Sequence, residues 1–389
     1  MSGGAAMAAG GESSWFQRFL LPGFAFKAVV IGGGYATGRE LAEFFLPSGP
    51  WGGLAAMLLA MLLWSIICAA TFALARLVGA FDYRSFFERL LGPGWIVFEV
   101  SYVLFVTLVL AVFGAAAGEI GAAIFGWPPL AGTALLAGSI ALFVTFGNAS
   151  VEGLFKYVSF LLYGVYALFM LLALGSFGDE IAARFAIPAP SDGWVIGGLA
   201  YTGYNVIGAV VILPVIRHLT SQRDAIVSGL IAGPLAMAPA ILFFVAMIAF
   251  YPGIMHETLP SDFMLRQLDM PLFHLLFQVM IFAALLESGA GSVHAINERV
   301  DAARRTRGLT PLGRRARGAI AGALLVGCMF LAERFGLVTL IASGYRTLSW
   351  VFLGVYVVPL LTVGVFRLVR GRPGGNGQAF RPAVQGNAE

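Results

Sequence analysis

Stretches of mostly apolar residues follow one another along the chain, separated by short segments that hold nearly all of its arginines. A helix needs about twenty apolar residues to cross a hydrocarbon core. On that rule the pattern predicts ten spans: 23–45, 51–78, 95–124, 129–147, 151–175, 193–218, 224–251, 271–300, 317–333 and 346–369. Turn clusters mark the boundaries, as in FLPSGPWGG (45–53) and FGWPPLAG (125–132). The ninth span is short, and GLVTLIASGY (336–345) reads as a half-helix or packed loop leading into the tenth.

Two of these spans are interrupted. Lys27–Phe45 reads KAVVIGGGYATGRELAEFF, with Gly32, Gly33, Gly34 and Gly38 in its middle and the charges of Arg39 and Glu40 directly after them. The sixth span carries AYTGYN (200–205) in a comparable place. In the first span, Gly23–Ile31 precedes the glycines and Arg39–Phe45 follows them. Each piece covers about 12 Å at 1.5 Å per residue, roughly half the core, so the break falls near the midplane. Glycines in membrane helices also serve close packing. A second polar break at the head of the second five spans changes that reading. Because five is odd, the second five enter from the opposite side, and paired interruptions in an inverted repeat mark a transporter's substrate site. The expected fold is an all-α integral membrane protein of ten transmembrane helices, a 5+5 inverted-topology repeat with helices 1 and 6 discontinuous. It forms one transmembrane domain (21–370; repeats 21–176 and 192–370) between a cytoplasmic N-terminal segment (1–20) and a polar tail (371–389) expected to be disordered.

Composition narrows the class. The chain of 389 residues is 59% hydrophobic and only 11% charged, well below the roughly one quarter charged in soluble domains. Its formal charge of +4 comes from arginines in loops, which points to orientation in a bilayer and not to nucleic acid. Arg18, Arg76, Arg84, Arg89, Lys156, Arg217, Arg223, the run Arg299–Arg317, Arg367, Arg370, Arg372 and Arg381 fall on one set of alternate loops; the other set holds only Arg184, Arg266, Arg334 and Arg346. The positive-inside rule then puts both termini in the cytoplasm. The basic run 304–318 reads as a topology anchor against anionic lipid. Cys68 and Cys328 lie far apart in apolar runs, and the first seventeen residues have no basic region of a signal peptide. His274 and His294 lack metal spacing, and no nucleophile has a base at motif spacing, so neither a metal site nor an enzyme is expected.

The interruptions supply candidate chemistry. N–H groups near Gly38, at the start of the second half-helix, suit an anionic group such as a substrate carboxylate. Carbonyls freed from Gly32 to Ala36 suit a cation. Gly33, Gly34, Tyr35, Thr37, Gly38 and Arg39, with Tyr201, Thr202, Gly203, Tyr204 and Asn205, are the expected lining of a substrate site. Arg39, costly at that depth, has three acids as candidate partners: Glu40, Glu43 at i+4, and Glu287 in mid-span eight. A pair with Glu43 is structural, a pair with Glu287 is a gate or proton-linked switch, and an anionic substrate is a third partner.

GGGYATGRE (32–40) with the following Phe44–Phe45, YTGYN (201–205) and LLESGAGSVHAINERV (285–300) resemble the YkvI-type family of uncharacterised bacterial membrane proteins. That family resembles the amino acid–polyamine–organocation superfamily, whose fold is LeuT-like. The resemblance covers residues 20–370. Family members tend to carry Gln where this chain has Arg39. The resemblance implies a secondary transporter in a bacterial inner or plasma membrane. It would move a small solute, an amino acid or related zwitterion or organic ion, by alternating access between spans one, three, six and eight. It also implies a cation site between span one (Gly32, Ala36) and span eight (Ser288, Ser292, beside Glu287), with Na⁺ or H⁺ as coupling ion and no other cofactor. The bland reading of either serine is a hydroxyl bonded to its own helix. The other functional reading is a sensor of the same fold that binds without transport. The lipid bilayer and a small-molecule substrate are the expected partners; oligomeric state is not readable.

Overall fold

The computed structural model describes residues 14–146, 162, 164–305 and 308–371. The segment before Ser14, the start of the fifth span with Lys156, and the tail after Gly371 lie outside the described residues. Every element among the described residues is helical.

The first span consists of α1 (Leu21–Val30), one turn of helix α2 (Gly33–Ala36) and α3 (Arg39–Phe44). After it come α4 (Gly49–Val78), α5 (Trp95–Phe125), α6 (Pro129–Phe146), and α7 (Gly164–Ser176), which bends by 66° into α8 (Gly178–Ala186). The second group starts with α9 (Trp194–Asn205) and α10 (Ile207–Val211), then α11 (Gln222–Ile248), α12 (Pro271–Arg305), α13 (Arg314–Thr339), and α14 (Arg346–Phe352) in a helical run that reaches Arg370.

By length and composition, six helices can cross a membrane, or seven if the bent α7–α8 pair is one span. This is fewer than the ten expected spans, for physical reasons visible in the chain. The first span is cut into pieces of ten residues or fewer, α6 is short, and the ninth and tenth expected spans join into one helical run, 314–370. That run is not straight. Gly336, at φ 71° and ψ 165°, breaks it in a conformation that favours glycine. After that break the segment 337–345 is helical and passes through wide π-type turns into α14, so of the two expected forms it is the helix and not the loop.

The sixth span also differs from expectation. AYTGYN is regular helix up to Asn205, and only Val206 separates α9 from α10. The chain remains right-handed there (φ −62°, ψ −18°), and the later end loosens into a tight turn, Leu213–His218, begun by Pro214. A threonine and an asparagine do not by themselves unwind a helix, because their side chains can bond back to it. Thr202 Oγ1 donates to the Gly198 carbonyl (2.7 Å) and Asn205 Nδ2 to that of Tyr201 (3.0 Å).

Large apolar side chains face outwards along these helices, among them Leu62, Leu171, Leu272 and Phe330. An apolar exterior around an apolar interior is what lipid requires and water does not tolerate in such amounts. With no water to drive helices together, small residues let their backbones approach. The pair α4–α11 does so at Gly229 and Gly233. A Cβ on Gly229 would lie 2.3 Å from the Ala69 nitrogen, and one on Gly233 would lie 2.3 Å from the Met61 carbonyl oxygen. Ser65 Oγ completes the seam by donating to the Leu230 carbonyl at 2.9 Å.

One end of the bundle gathers the arginines of the basic loops. Arg18 makes two hydrogen bonds to Asp224 (2.8 and 2.9 Å). Arg76 donates to the carbonyls of Leu219 and Thr220, Arg89 to that of Val78, and Arg367 to that of Arg89. This is the end that carries the first and last described residues.

The α4–α11 seam predicts that Gly229→Ala and Gly233→Ala each cost about 1–3 kcal/mol, the range for an overpacked contact. Melting of the purified protein, followed by intrinsic fluorescence, is the check. Gly138→Ala, on a surface with nothing within 4 Å of a Cβ, is the matched control and leaves the melting temperature in place.

Candidate functional site

The first span breaks twice. Ile31 leaves helical geometry (φ −78°, ψ 76°), one turn of helix follows, and Gly38 turns left-handed (φ 77°) to start α3. The backbone groups so released are taken up locally. Gly32 N–H donates to the Val30 carbonyl and Ala36 N–H to that of Gly32, Thr37 Oγ1 donates to the Gly34 carbonyl (2.9 Å), and Gly38 N–H donates to that of Tyr35. The Thr37 carbonyl accepts the Ser261 N–H at 2.9 Å. The carbonyls of Gly32, Gly34 and Tyr35, expected to be free for a cation, are thus engaged. Gly38 is also closed in: a Cβ there would lie 2.9 Å from Phe243 and 3.2 Å from Pro260. A carboxylate at the start of α3 would have to displace those groups.

The open space lies on the other side of the break. A cavity of about 420 Å³ is bounded by the end of α1 (Ala28 to Gly32), by α5, by α9–α10, and by α12. Helical spacing builds each wall. Tyr102, Phe105, Val109 and Phe113 make the α5 face, and Ala284, Ser288, Gly291, Ser292 and Ala295 the α12 face, with Glu287 beside it. Of the expected site residues, the cavity brings together Gly32, Tyr204, Asn205, Glu287, Ser288 and Ser292. Gly34, Tyr35, Ala36, Thr37, Gly38, Arg39, Tyr201, Thr202 and Gly203 are not on its wall. Gly203 serves packing, its Cα pressed against the Ser349 backbone of α14. Ser292 Oγ donates to the Ser288 carbonyl (2.8 Å), the bland role for a helical serine, while its oxygen still faces the cavity. The aromatic α5 wall was missing from the sequence-based site, although its i, i+3, i+7, i+11 spacing was there to be read.

Arg39 sits elsewhere. Its Nη1 donates to the carbonyls of Met255 (2.9 Å) and Glu257 (2.8 Å), and its Nη2 pairs with Glu43 at 3.0 Å. Glu43 also takes Arg346, the first residue of α14, at 3.2 Å. The i+4 partner on its own helix face prevails over Glu287 because it needs no reach across the break. The loop carbonyls supply the remaining acceptors. These contacts tie α3, the 253–257 turn and α14 together on the side of the break away from the cavity.

Below the cavity, toward the end with the basic loops, Arg299 stacks over Tyr83 and Tyr102 (4.2 and 4.0 Å to the ring centres) and approaches Glu99 at 3.5 Å. Residues from Thr37 to Glu40 are at most 5% exposed, whereas Glu287, Ser288 and Ser292 are partly exposed. The segment leading into α3 is thus closed, whereas the α12 face of the cavity keeps partly exposed polar groups.

No protein-family model matches the chain. It is 24% identical over 292 residues to the uncharacterised membrane protein YkvI of Bacillus subtilis (strain 168), covering 71% of this chain and 79% of that protein. In structure it is similar to a Na⁺-coupled sialic acid symporter in a substrate-bound outward-open state (TM-score 0.58, 14% identity, 91% of this chain and 82% of that one). It is similar too to MhsT in complex with L-phenylalanine (TM-score 0.53, 15% identity, 92% and 98%). The chain thus resembles the YkvI-type proteins, and its fold is that of LeuT-type transporters.

The Arg39 network makes a graded prediction. Glu43→Ala strands a guanidinium that is 6% exposed and loses about 3–5 kcal/mol, as broken buried pairs do. Arg346→Ala, whose side chain is 46% exposed, costs about 1 kcal/mol or less. Chemical or thermal unfolding of the two variants in one detergent gives the ranking.

Proposed function

We propose that the chain is a secondary active transporter that moves a small solute, an amino acid or a related zwitterion or organic ion, by alternating access. The observation that carries this reading is the cavity beside the break of the first span, partly exposed on its α12 face and next to a segment, Thr37–Glu40, that is buried and tied down by the Arg39–Glu43–Arg346 contacts. A volume of about 420 Å³ falls in the range of small-molecule sites. A site at mid-depth beside a broken helix is a geometry that rocking between two states can use. The fold shared with a Na⁺-coupled symporter and with a protein that holds L-phenylalanine favours this class of function.

The chain crosses the membrane ten times in this reading. The broken α1–α3, the short α6, and the two arms of 314–370 on either side of Gly336 each count as spans, in a 5+5 inverted repeat. The basic end is cytoplasmic, in a bacterial inner or plasma membrane. Substrate binds against Tyr204, Asn205 and the α5 aromatics. The coupling ion is Na⁺ or H⁺, and Gly32 from α1 with Ser288 and Ser292 from α12, which line the same cavity, are the candidate cation ligands beside Glu287. Serine hydroxyls and backbone carbonyls suit a hard cation. The assigned activity is transport, without covalent chemistry.

Amino acids and small organic ions that raise the melting temperature of the purified protein are expected to be taken up by proteoliposomes under a Na⁺ or pH gradient. Binding with no flux under any gradient would leave a sensor in place of a transporter. Ser288→Ala with Ser292→Ala is expected to reduce Na⁺-stimulated uptake at least tenfold; undiminished stimulation would remove the cation site from α12.

A further inference from the structure

Glu40 follows Arg39 in sequence but serves a different compartment. It is 4% exposed. Its Oε2 accepts the Tyr204 hydroxyl at 2.6 Å. Its Oε1 lies over Gly34, so close that a Cβ there would come within 2.1 Å of it. Tyr35 from α2, Tyr201 and Tyr204 from α9, and Tyr345 from the segment leading into α14 all lie near enough to interact electrostatically with this carboxylate. The hydroxyl of Tyr201 is buried without a hydrogen-bond partner, and that of Tyr35 lies against the Tyr166 hydroxyl. On its own helix the charged neighbours are Arg39 and Glu43, which bind each other. Among the described residues, no lysine, arginine or histidine forms an ion pair with Glu40.

A buried carboxylate with no countercharge is costly unless it gives up its charge or meets a cation. Two observations decide between these. Gly34 presses on one carboxylate oxygen, and the Tyr204 hydroxyl already occupies the other. A hard metal ion of the kind that takes six or more oxygens would find too few. A proton needs no coordination shell. The second observation is Tyr204 itself, whose ring lines the cavity while its hydroxyl holds Glu40. The ring is stacked on Tyr345 at 4.6 Å. One side chain is thus shared between the buried carboxylate and the cavity wall.

We propose that Glu40 is a proton-binding site of the transport cycle, reached from the cavity when the Tyr204 side chain swings aside. This rests on reading the cavity as a transporter's. In the cavity-open state the carboxylate takes H⁺ from hydronium in the cavity, forming an O–H bond on Glu40 and leaving water. The neutral acid then tolerates burial behind Tyr204. Release to water on the opposite side restores the carboxylate, so each turnover carries one proton per chain. Glu40, and not the partly exposed Glu287 on the cavity wall, is then the group whose charge changes inside the closed compartment.

The test is infrared difference spectroscopy of the full chain in liposomes, titrated with pH and with no substrate present. Wild-type protein is expected to lose a protonated-carboxyl C=O band of one group per chain as pH rises. Glu40→Gln lacks that band, Glu287→Gln keeps it, and Tyr204→Phe shifts its frequency because the hydrogen bond is gone. Identical difference spectra for wild type and Glu40→Gln overturn the proposal. If the glutamine variant fails to fold, a Tyr204→Phe band superimposable on wild type overturns it instead. Because no substrate enters, the band stands apart from flux: a Glu40 band in a protein that transports nothing would sink the transporter reading and leave the proton site.

Discussion

A peptide group released from a helix inside a membrane has no water to turn to, and this constraint organises the centre of the molecule. Between Val30 and Arg39 the first span gives up its regular ladder twice. Each released group is then met from nearby: Thr37 reaches back to Gly34, Gly38 N–H bonds Tyr35, and Ser261 N–H comes from the 257–262 segment to the Thr37 carbonyl. Gly38 makes the left-handed turn that lets α3 start, and Phe243 and Pro260 seal it. The break is consequently a junction on which α9, α11 and the 253–262 segment converge. A break that satisfies itself in this way leaves few groups over for a ligand, which is why the cavity lies beside it and not inside it.

The two charges after the break show how depth and direction set the role of a side chain. Arg39 and Glu40 are adjacent, so α-helical geometry points them about 100° apart. Arg39 turns toward the end of a short turn, whose last carbonyls need donors, and shares Glu43 with Arg346. Glu40 turns inward among tyrosines. The arginine closes one side of the molecule by linking three elements. The carboxylate links α3 to α9 through one hydrogen bond to the residue that walls the cavity.

Much of this was legible in the residues. The apolar runs gave the helices, and the four glycines gave the break of the first span at nearly its observed place. Gly32, Tyr204, Asn205, Glu287, Ser288 and Ser292, expected in a substrate set and a cation set, line one cavity, because residues at mid-depth on spans one, six and eight have little choice but to meet. The break of the sixth span was misplaced, since polarity was taken as a sign of unwinding. Thr202 and Asn205 can spend their polar atoms on their own helix, and composition does not reveal which choice is made. Gly336 shows the converse: one glycine in an otherwise unremarkable stretch carries the sharp bend that divides 314–370. Glu40 was taken as one of three candidate partners of Arg39. Their separation depends on the Met255 and Glu257 carbonyls, which come from a turn more than two hundred residues away.

Moving α3 away from the 253–257 turn would open the closed side, and Tyr204 couples that motion to the cavity. The polar contacts that hold α3 there are few: two carbonyl bonds from Arg39, the Glu43–Arg346 pair, and the Ser261–Thr37 bond. Tyr204 cannot keep its hydrogen bond to Glu40 unless α9 follows α3. Either the two helices move as one body or the bond breaks and the tyrosine ring, stacked on Tyr345, is free to turn. In the first case the cavity changes shape because its α9 wall moves. In the second it changes because the wall opens onto Glu40. Both couple the closed side to the cavity through the same pair of side chains, with no need for a longer chain of contacts.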